Sequence, residues 1–91
     1  MNIMWEVILS PDVQNFIKKQ DKNIYERLKK GLEKLKTDNP FHYLEHYEGK
    51  DYYKCRVGDY RALIDVDFKN KILKVQVLDH RSKIYKKKVL G

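Results

Sequence analysis

Hydrophobic side chains recur every second residue at the start of the chain and every third or fourth residue after it. Residues 3–9 alternate between apolar and polar types, which predicts a first strand. Ser10 and Pro11 then supply an N-cap hydroxyl and a proline suited to a first helical turn, so a short helix begins there. Asp21 caps a longer helix, which ends at residues 37–40 and whose apolar stripe is formed by Ile24, Leu28, Leu32 and Leu35. Because glycine weakens a helix interior, we expect close packing against a neighbouring element at Gly31.

The second half of the chain alternates with a period of two. Strands are predicted over residues 43–48, 52–57, 60–67 and 72–79, separated by short turns that contain glycine or asparagine. These strands form an antiparallel meander, and a short final helix is expected over residues 82–88. The element order predicts an α+β sandwich, a single domain over residues 1–91, with the helices on one face of the sheet. The other face is then open to a ligand.

The composition adds a strong basic bias to this small domain. The chain has 91 residues, 42% of them hydrophobic, which is enough for one layered core and disfavours disorder. Its net charge of +7 points to a polyanionic partner such as nucleic acid. A run of like charges is also typical of a solvated terminus, so the basic tail alone does not establish that the protein binds a polyanion. That tail, residues 80–91, contains no acid and carries Arg81, Lys83, Lys86, Lys87 and Lys88.

The single cysteine and the histidines indicate neither a disulfide nor a metal site. Cys55 has no partner and points inward by alternation, so we expect a small buried hydrophobe. His42 and His46 are four residues apart in a predicted loop and strand, without the helical geometry or second cysteine that would favour zinc. We therefore expect no metal and no cofactor. No signal peptide or membrane span is apparent, which predicts a reducing, cytoplasmic setting and no membrane partner.

Cations converge on the predicted open face of the sheet. Alternation sends Tyr52, Lys54 and Arg56 to that face, and Arg61 lies across a tight turn from Arg56. Like charges on adjacent strands repel, so their collection there favours a phosphate-binding function. The alternative is a solubilised sheet face, in which these cations pair with Asp51, Asp59 and Asp65.

The last strand and the tail are expected to extend this cationic surface. Residues 72–79 deliver His80 and Arg81 beside it, with Tyr85 four residues later. Tyr85, Tyr52 and Tyr60 are placed near the cations, where a ring can stack on an unpaired base. His80 is a secondary candidate, as an acid or base or as a contact to a backbone phosphate. Within the strand, alternation predicts Leu73, Val75 and Val77 in the core and Lys74, Gln76 and Leu78 facing away.

Two segments resemble the RelE group of the RelE/ParE toxin superfamily. These are Tyr-Lys-Cys-Arg-Val-Gly-Asp-Tyr-Arg at residues 53–61 and Asp-His-Arg-Ser-Lys-Ile-Tyr at residues 79–85. The resemblance covers essentially the whole chain, including its length and element order. It implies a RelE-like fold and the toxin component of a type II toxin–antitoxin system. Such a toxin enters the ribosomal A site, cleaves the mRNA there and is silenced by a RelB-like antitoxin, which would lay an apolar, partly acidic segment across the helices and sheet.

The resemblance also assigns roles to residues. It implies catalytic roles for the five positions Lys54, Arg56, Arg61, Arg81 and Tyr85, while the tail lysines Lys83, Lys86, Lys87 and Lys88 bind ribosomal RNA or acidic antitoxin. Arg56 stands where the best-known members have a lysine, and its guanidinium stays charged. The ParE branch acts on DNA gyrase, shares the fold and typically lacks the full basic set and the terminal tyrosine. Tyr85 therefore favours the endoribonuclease branch, with gyrase inhibition or a non-catalytic RNA- or ribosome-binding module as alternatives.

These residues suit metal-independent cleavage by the 2′-hydroxyl of the RNA. The reaction needs a base, stabilisation of the charge that grows on the phosphorane, and a proton for the 5′-oxygen that leaves. Lys54 is the candidate base, and Arg56 and Arg61 bind the scissile phosphate through forked donors. Arg81 completes the clamp or assists the leaving group. Tyr85 stacks on a base and holds the nucleotide in line for attack.

Overall fold

The predicted order of elements is confirmed in the structure. A computed structural model describes residues 3–47, 49 and 51–84. The predicted final helix therefore lies mostly outside the described residues. The elements are β1 Glu6–Leu9, α1 Pro11–Lys18, α2 Lys22–Glu33, a 3₁₀ turn Pro40–Tyr43, β2 Leu44–His46, β3 Tyr53–Val57, β4 Tyr60–Asp67 and β5 Ile72–His80.

One mixed sheet organises these elements, with strand order β1-β5-β4-β3-β2. Strands β2 to β5 form the predicted antiparallel meander. Strand β1 pairs with β5 in parallel, with Val7 beside Leu73. Parallel neighbours need a crossover connection, and the helices begin that connection on one face of the sheet. Both helices pack on this face, and together with the inward side chains of the strands they form the main core.

Side-chain caps fix where the two helices begin, as the sequence predicts. Ser10 Oγ accepts the Val13 N–H at 3.2 Å, and Asp21 Oδ1 accepts the Ile24 N–H at 3.0 Å. Ser10 Oγ also donates to the Gln76 carbonyl at 3.0 Å, which ties the start of α1 to β5. In the part of the chain that the structure describes, neither helix is long and apolar enough to cross a membrane.

Gly31 lies at a close approach of α2 to the sheet, as expected. A Cβ atom at this position would lie 2.6 Å from Val57 Cγ1 and 2.8 Å from Val57 Cγ2. Both distances are far below van der Waals contact, and Val57 is itself buried in the main core. The missing side chain therefore lets the helix sit directly on β3.

Gly31→Ala is expected to lower the free energy of unfolding by about 1–3 kcal/mol, because the added methyl overpacks against Val57. This effect opposes the gain in helix propensity of about 1 kcal/mol that alanine brings elsewhere. Denaturant unfolding measures it. In a Gly31→Ala/Val57→Ala double variant the loss should be smaller than the sum of the two single losses, since the shortened Val57 leaves room for the methyl. Additive losses would contradict the contact.

A second, smaller hydrophobic cluster covers part of the sheet face opposite the helices. Its members are Tyr52, Leu63, Val77 and Ile84, with Tyr47 packed against them. Tyr52 lies on this face, as alternation predicts, but it is only 8% exposed and its ring packs 5.2 Å from that of Tyr47. The expectation that Tyr52 faces solvent, with a ring free to stack on a base, is therefore wrong.

A β-bulge in β5 changes which residues face the helices. Leu63 pairs with Val77 and Ile64 pairs with Val75, so Gln76 is the extra residue. Val77 consequently joins the second cluster, and Leu78 enters the main core. The predicted positions of these two side chains are reversed, because one extra residue inverts the alternation for the rest of the strand.

Candidate functional site

A polar cleft lies between the edge strand β2, the 3₁₀ turn and the ends of β3 and β4. It has a volume of about 320 Å³. Three cations predicted from the sequence meet in this basic cleft. Its lining is formed by His42, Tyr43, Leu44, Glu45, Lys54, Arg56 and Arg61.

The β3–β4 hairpin brings these cations together. Arg56 pairs directly with Arg61 across the two strands, and a two-residue turn joins them at Gly58 and Asp59. Gly58 has a φ of 59°, a conformation that favours glycine and suits the tight hairpin. Lys54 is two residues before Arg56 on the same strand, so both side chains lie on the sheet face away from the helices.

The cations of the basic cleft are held without salt bridges. Among the described residues, no carboxylate oxygen lies within 4.0 Å of the side-chain nitrogens of Lys54, Arg56 or Arg61. Arg61 Nη1 donates to the carbonyls of Gly58 at 2.8 Å and Tyr60 at 2.9 Å. Lys54 Nζ lies 5.5 Å from the centre of the Tyr47 ring.

None of the three described carboxylates that could neutralise these cations, Asp51, Asp59 and Asp65, forms an ion pair with them. Asp59 Oδ1 lies 4.0 Å from Arg81 Nε, and Asp65 Oδ2 accepts from Gln76 Nε2 at 3.2 Å. Asp51 forms no ion pair with the cleft cations in the described part of the chain. The positive potential of the basic cleft is thus not cancelled by these neighbours, which suits it to an anion.

Arg81 contacts the tip of the hairpin at Asp59 and is not among the residues that line the basic cleft. Its backbone N–H donates to the Asp59 carbonyl at 2.7 Å, and its guanidinium is largely exposed. Lys83 is also exposed. Four further predicted site residues lie outside the described residues: Tyr85, Lys86, Lys87 and Lys88.

Tyr60 and His80 lie on the helix side of the sheet, away from the basic cleft. They pair across β4 and β5, with ring centres 5.5 Å apart, and the Tyr60 ring also packs 6.0 Å from that of Phe16. His80 Nδ1 accepts the Ser82 N–H at 3.1 Å, so a neutral ring carries its proton on Nε2. The expectation that these two side chains join the cations is wrong, because the β4 alternation and the β5 bulge turn both toward α1.

Four lining residues are not among the site residues predicted from the sequence: His42, Tyr43, Glu45 and Leu44, the last of which packs its side chain against the main core. Tyr43 is 48% exposed and lines the cleft, so its ring is available for the base stacking predicted for Tyr52 and Tyr60. Glu45 pairs with Lys54 across β2 and β3. His42 Nε2 lies 3.4 Å from Asn39 Nδ2 in the 3₁₀ turn. For Glu45, alternation in β2 is the available sequence signal, since Leu44 points to the core and its neighbour Glu45 therefore points to the cleft.

Comparison with protein families agrees with this architecture. The family model described as "ParE toxin of type II toxin-antitoxin system, parDE" matches residues 7–85. The chain belongs to the RelE/ParE superfamily of type II toxins. Among curated proteins, no sequence matches this toxin significantly.

Solved toxin–antitoxin complexes contain the same fold. A chain of the RelBE2 complex from Mycobacterium tuberculosis matches with a TM-score of 0.74 and 17% identity, covering 87% of this toxin and 100% of that chain. The archaeal RelE–RelB complex from Pyrococcus horikoshii OT3 gives a TM-score of 0.66 at 24% identity, covering 87% and 97%. The RelB–RelE complex from Methanococcus jannaschii gives a TM-score of 0.66 at 24% identity, covering 87% and 95%. At these identities the likeness shows a shared fold.

The cysteine of the toxin lies outside the basic cleft. Cys55 is buried on the helix side of β3, and this burial raises the pKa of its thiol to about 11. The thiolate is the reactive form, so a thiol with a raised pKa is a poor nucleophile near neutral pH. In the described residues, no three His, Cys, Asp or Glu side chains are grouped closely enough to hold a metal ion.

Cys55 is expected to resist labelling by a thiol reagent at pH 8 in the folded toxin and to react fully in denaturant. Both the burial and the raised pKa lower the amount of accessible thiolate. Because the chain has one cysteine, a colorimetric thiol assay reports on this site alone. Rapid labelling of the native toxin would show that β3 opens more easily than its buried position implies.

Proposed function

We propose that this toxin is a ribosome-dependent endoribonuclease that cleaves mRNA in the A site and thereby inhibits translation. The observation that carries the proposal is the meeting of Lys54, Arg56 and Arg61 in one cleft, without an ion pair to a described carboxylate. The cleft volume is at the lower end of the roughly 300–1,000 Å³ range of small-ligand sites, which suits part of an RNA strand. Two guanidinium groups at its centre offer forked donors for phosphate oxygens.

The cleft residues fit attack by the RNA's own 2′-hydroxyl. The 2′-oxygen bonds to phosphorus as the bond to the 5′-oxygen breaks, which leaves a 2′,3′-cyclic phosphate and a 5′-hydroxyl. Arg56 and Arg61 stabilise the negative charge on the phosphorane. The Tyr43 ring supports a neighbouring base by stacking, and Arg81 contacts an adjacent phosphate from the hairpin tip.

The ribosome and an antitoxin are the partners in this proposal. The basic cleft lies beside the edge strand β2, so it does not by itself force a flexible RNA into line for attack. The ribosomal A site supplies that alignment. The net charge of +7 favours both ribosomal RNA and an acidic segment of a RelB-like antitoxin.

Inhibition of DNA gyrase is the second candidate, because the matching family model is described as a ParE toxin. This function needs a protein-binding surface and no cleavage chemistry. It predicts blocked supercoiling and DNA damage signalling while mRNA stays intact. A module that only binds RNA or the ribosome predicts salt-sensitive binding without cut ends.

Mapping mRNA 5′ ends after brief induction of the toxin separates these functions. New ends inside translated codons, absent from a matched message that lacks its start codon, would support the endoribonuclease. A supercoiling assay with purified gyrase is run in parallel. Inhibited gyrase with intact mRNA would place the toxin in the gyrase branch. Ribosome binding with neither effect would leave a non-catalytic module.

A further inference from the structure

The basic cleft contains a carboxylate that a site for binding phosphate alone does not need. Among the described residues that line it, Glu45 is the single acidic side chain, beside Lys54, Arg56 and Arg61. An anionic group repels RNA phosphates and lowers their affinity for the cleft. Its position there therefore calls for a role other than attraction of the strand.

The geometry leaves this carboxylate available to a substrate. Glu45 is directly opposite Lys54 in the β2–β3 register, on the sheet face that forms the cleft. Side chains at such positions are close enough to form an ion pair. However, Lys54 Nζ packs over the Tyr47 ring instead, and no described cation lies within 4.0 Å of the Glu45 oxygens. Glu45 is exposed, so a bound nucleotide can reach it.

The cations of the cleft cannot easily accept a proton. A guanidinium stays protonated in proteins, so Arg56 and Arg61 serve as donors and charges only. The ammonium of Lys54 must first lose a proton before it can act as a base. A glutamate is ionised at neutral pH and can accept the proton directly.

From this arrangement we propose that Glu45 is the general base that removes the 2′-hydroxyl proton during RNA cleavage. The inference rests on the proposed endoribonuclease function. The proton moves to a Glu45 carboxylate oxygen while the 2′-oxygen bonds to phosphorus. The 5′-oxygen leaves with a proton, for which His42 on the same cleft is the nearby imidazole. Arg56 and Arg61 hold the phosphate between these two groups.

Glu45→Gln tests the proposal on ribosomes programmed with a defined mRNA. Loss of a general base is expected to slow single-turnover cleavage by about 100-fold or more. Binding of the same RNA should be unchanged or tighter, because a negative charge has left the cleft. In Glu45→Ala, added formate or acetate is expected to restore part of the cleavage rate, since a small carboxylate can take the place of the missing side chain.

Glu6→Gln is the matched control. Glu6 is an exposed carboxylate on β1, at the opposite edge of the sheet, so its loss changes the net charge equally and should leave cleavage intact. If the unaltered toxin cuts and Glu45→Gln cuts at an equal or higher rate, Glu45 is not the base. Slow cleavage by Glu45→Ala that formate and acetate fail to restore also overturns the proposal. If the unaltered toxin cuts no translated mRNA, the proposed function itself fails, whatever Glu45 does.

Discussion

Replacing Arg61 by alanine is expected to slow cleavage of translated mRNA by about 100- to 1,000-fold and to relieve the growth arrest caused by the toxin. The Arg61 guanidinium is positioned before substrate arrives, because its Nη1 donates to two carbonyls of the hairpin turn. It lies directly across from Arg56 in the basic cleft. Its removal therefore takes away an oriented donor for the phosphorane. Single-turnover cleavage on programmed ribosomes and growth after induction measure the two effects.

Two comparisons separate this role from general charge. Arg61→Lys keeps the charge but lacks the forked donor, so it should retain partial activity. Lys22→Ala removes the same charge from an exposed position at the start of α2, on the helix side of the sheet, and should cleave nearly as well as the unaltered toxin. Equal activity of Arg61→Ala and Lys22→Ala would mean that the basic cleft is not the phosphate site.

The parts of the site that were predicted depend on local sequence alone. Alternation in β3 places Lys54 and Arg56 on one face, and the Gly58 turn fixes Arg61 opposite Arg56. The period of a strand and the length of a hairpin turn determine both features. The first residues of the two helices could also be predicted from local sequence, because the caps Ser10 and Asp21 each contact a backbone N–H three residues ahead.

The β5 bulge shows where such local reasoning ends. No turn residue or change in composition marks Gln76, yet its insertion exchanges the faces of Val77 and Leu78 and turns His80 toward the helices. Val75, Val77 and Leu78 are all hydrophobic, so this stretch of sequence fits a regular strand and a bulged strand equally well. The choice between them depends on what covers each face, which is a property of the packed sheet.

Tertiary contacts also decide which aromatic rings and acids reach the cleft. Tyr52 has the predicted orientation but is covered by a cluster that includes Ile84, 32 residues further along the chain. His42 and Tyr43 belong to a 3₁₀ turn whose position beside β3 and β4 follows from the packing of the edge strand β2. The cations were therefore found from the sequence, whereas the groups that surround them required the fold.

Ile84→Ala is expected to lower the free energy of unfolding by about 2–5 kcal/mol. The Ile84 side chain is fully buried on the sheet face opposite the helices, against Tyr52, Leu63 and Val77. Truncation leaves a cavity against the face of β4 and β5, which are hydrogen-bonded to neighbouring strands on both sides and cannot easily close it. Urea unfolding, with the slope of the transition compared between variants, measures the loss.

Ile8→Ala is the control for this truncation. Ile8 is 43% exposed on the edge strand β1, so its truncation should lower the free energy of unfolding by less than about 1 kcal/mol. If Ile84→Ala costs no more than Ile8→Ala, the second cluster contributes little and the helix-side core alone stabilises the sheet. A large loss would have a consequence for the site as well. Tyr52 connects this cluster to the strand that carries Lys54 and Arg56, so the packing around Ile84 would then help to hold the basic cleft in shape.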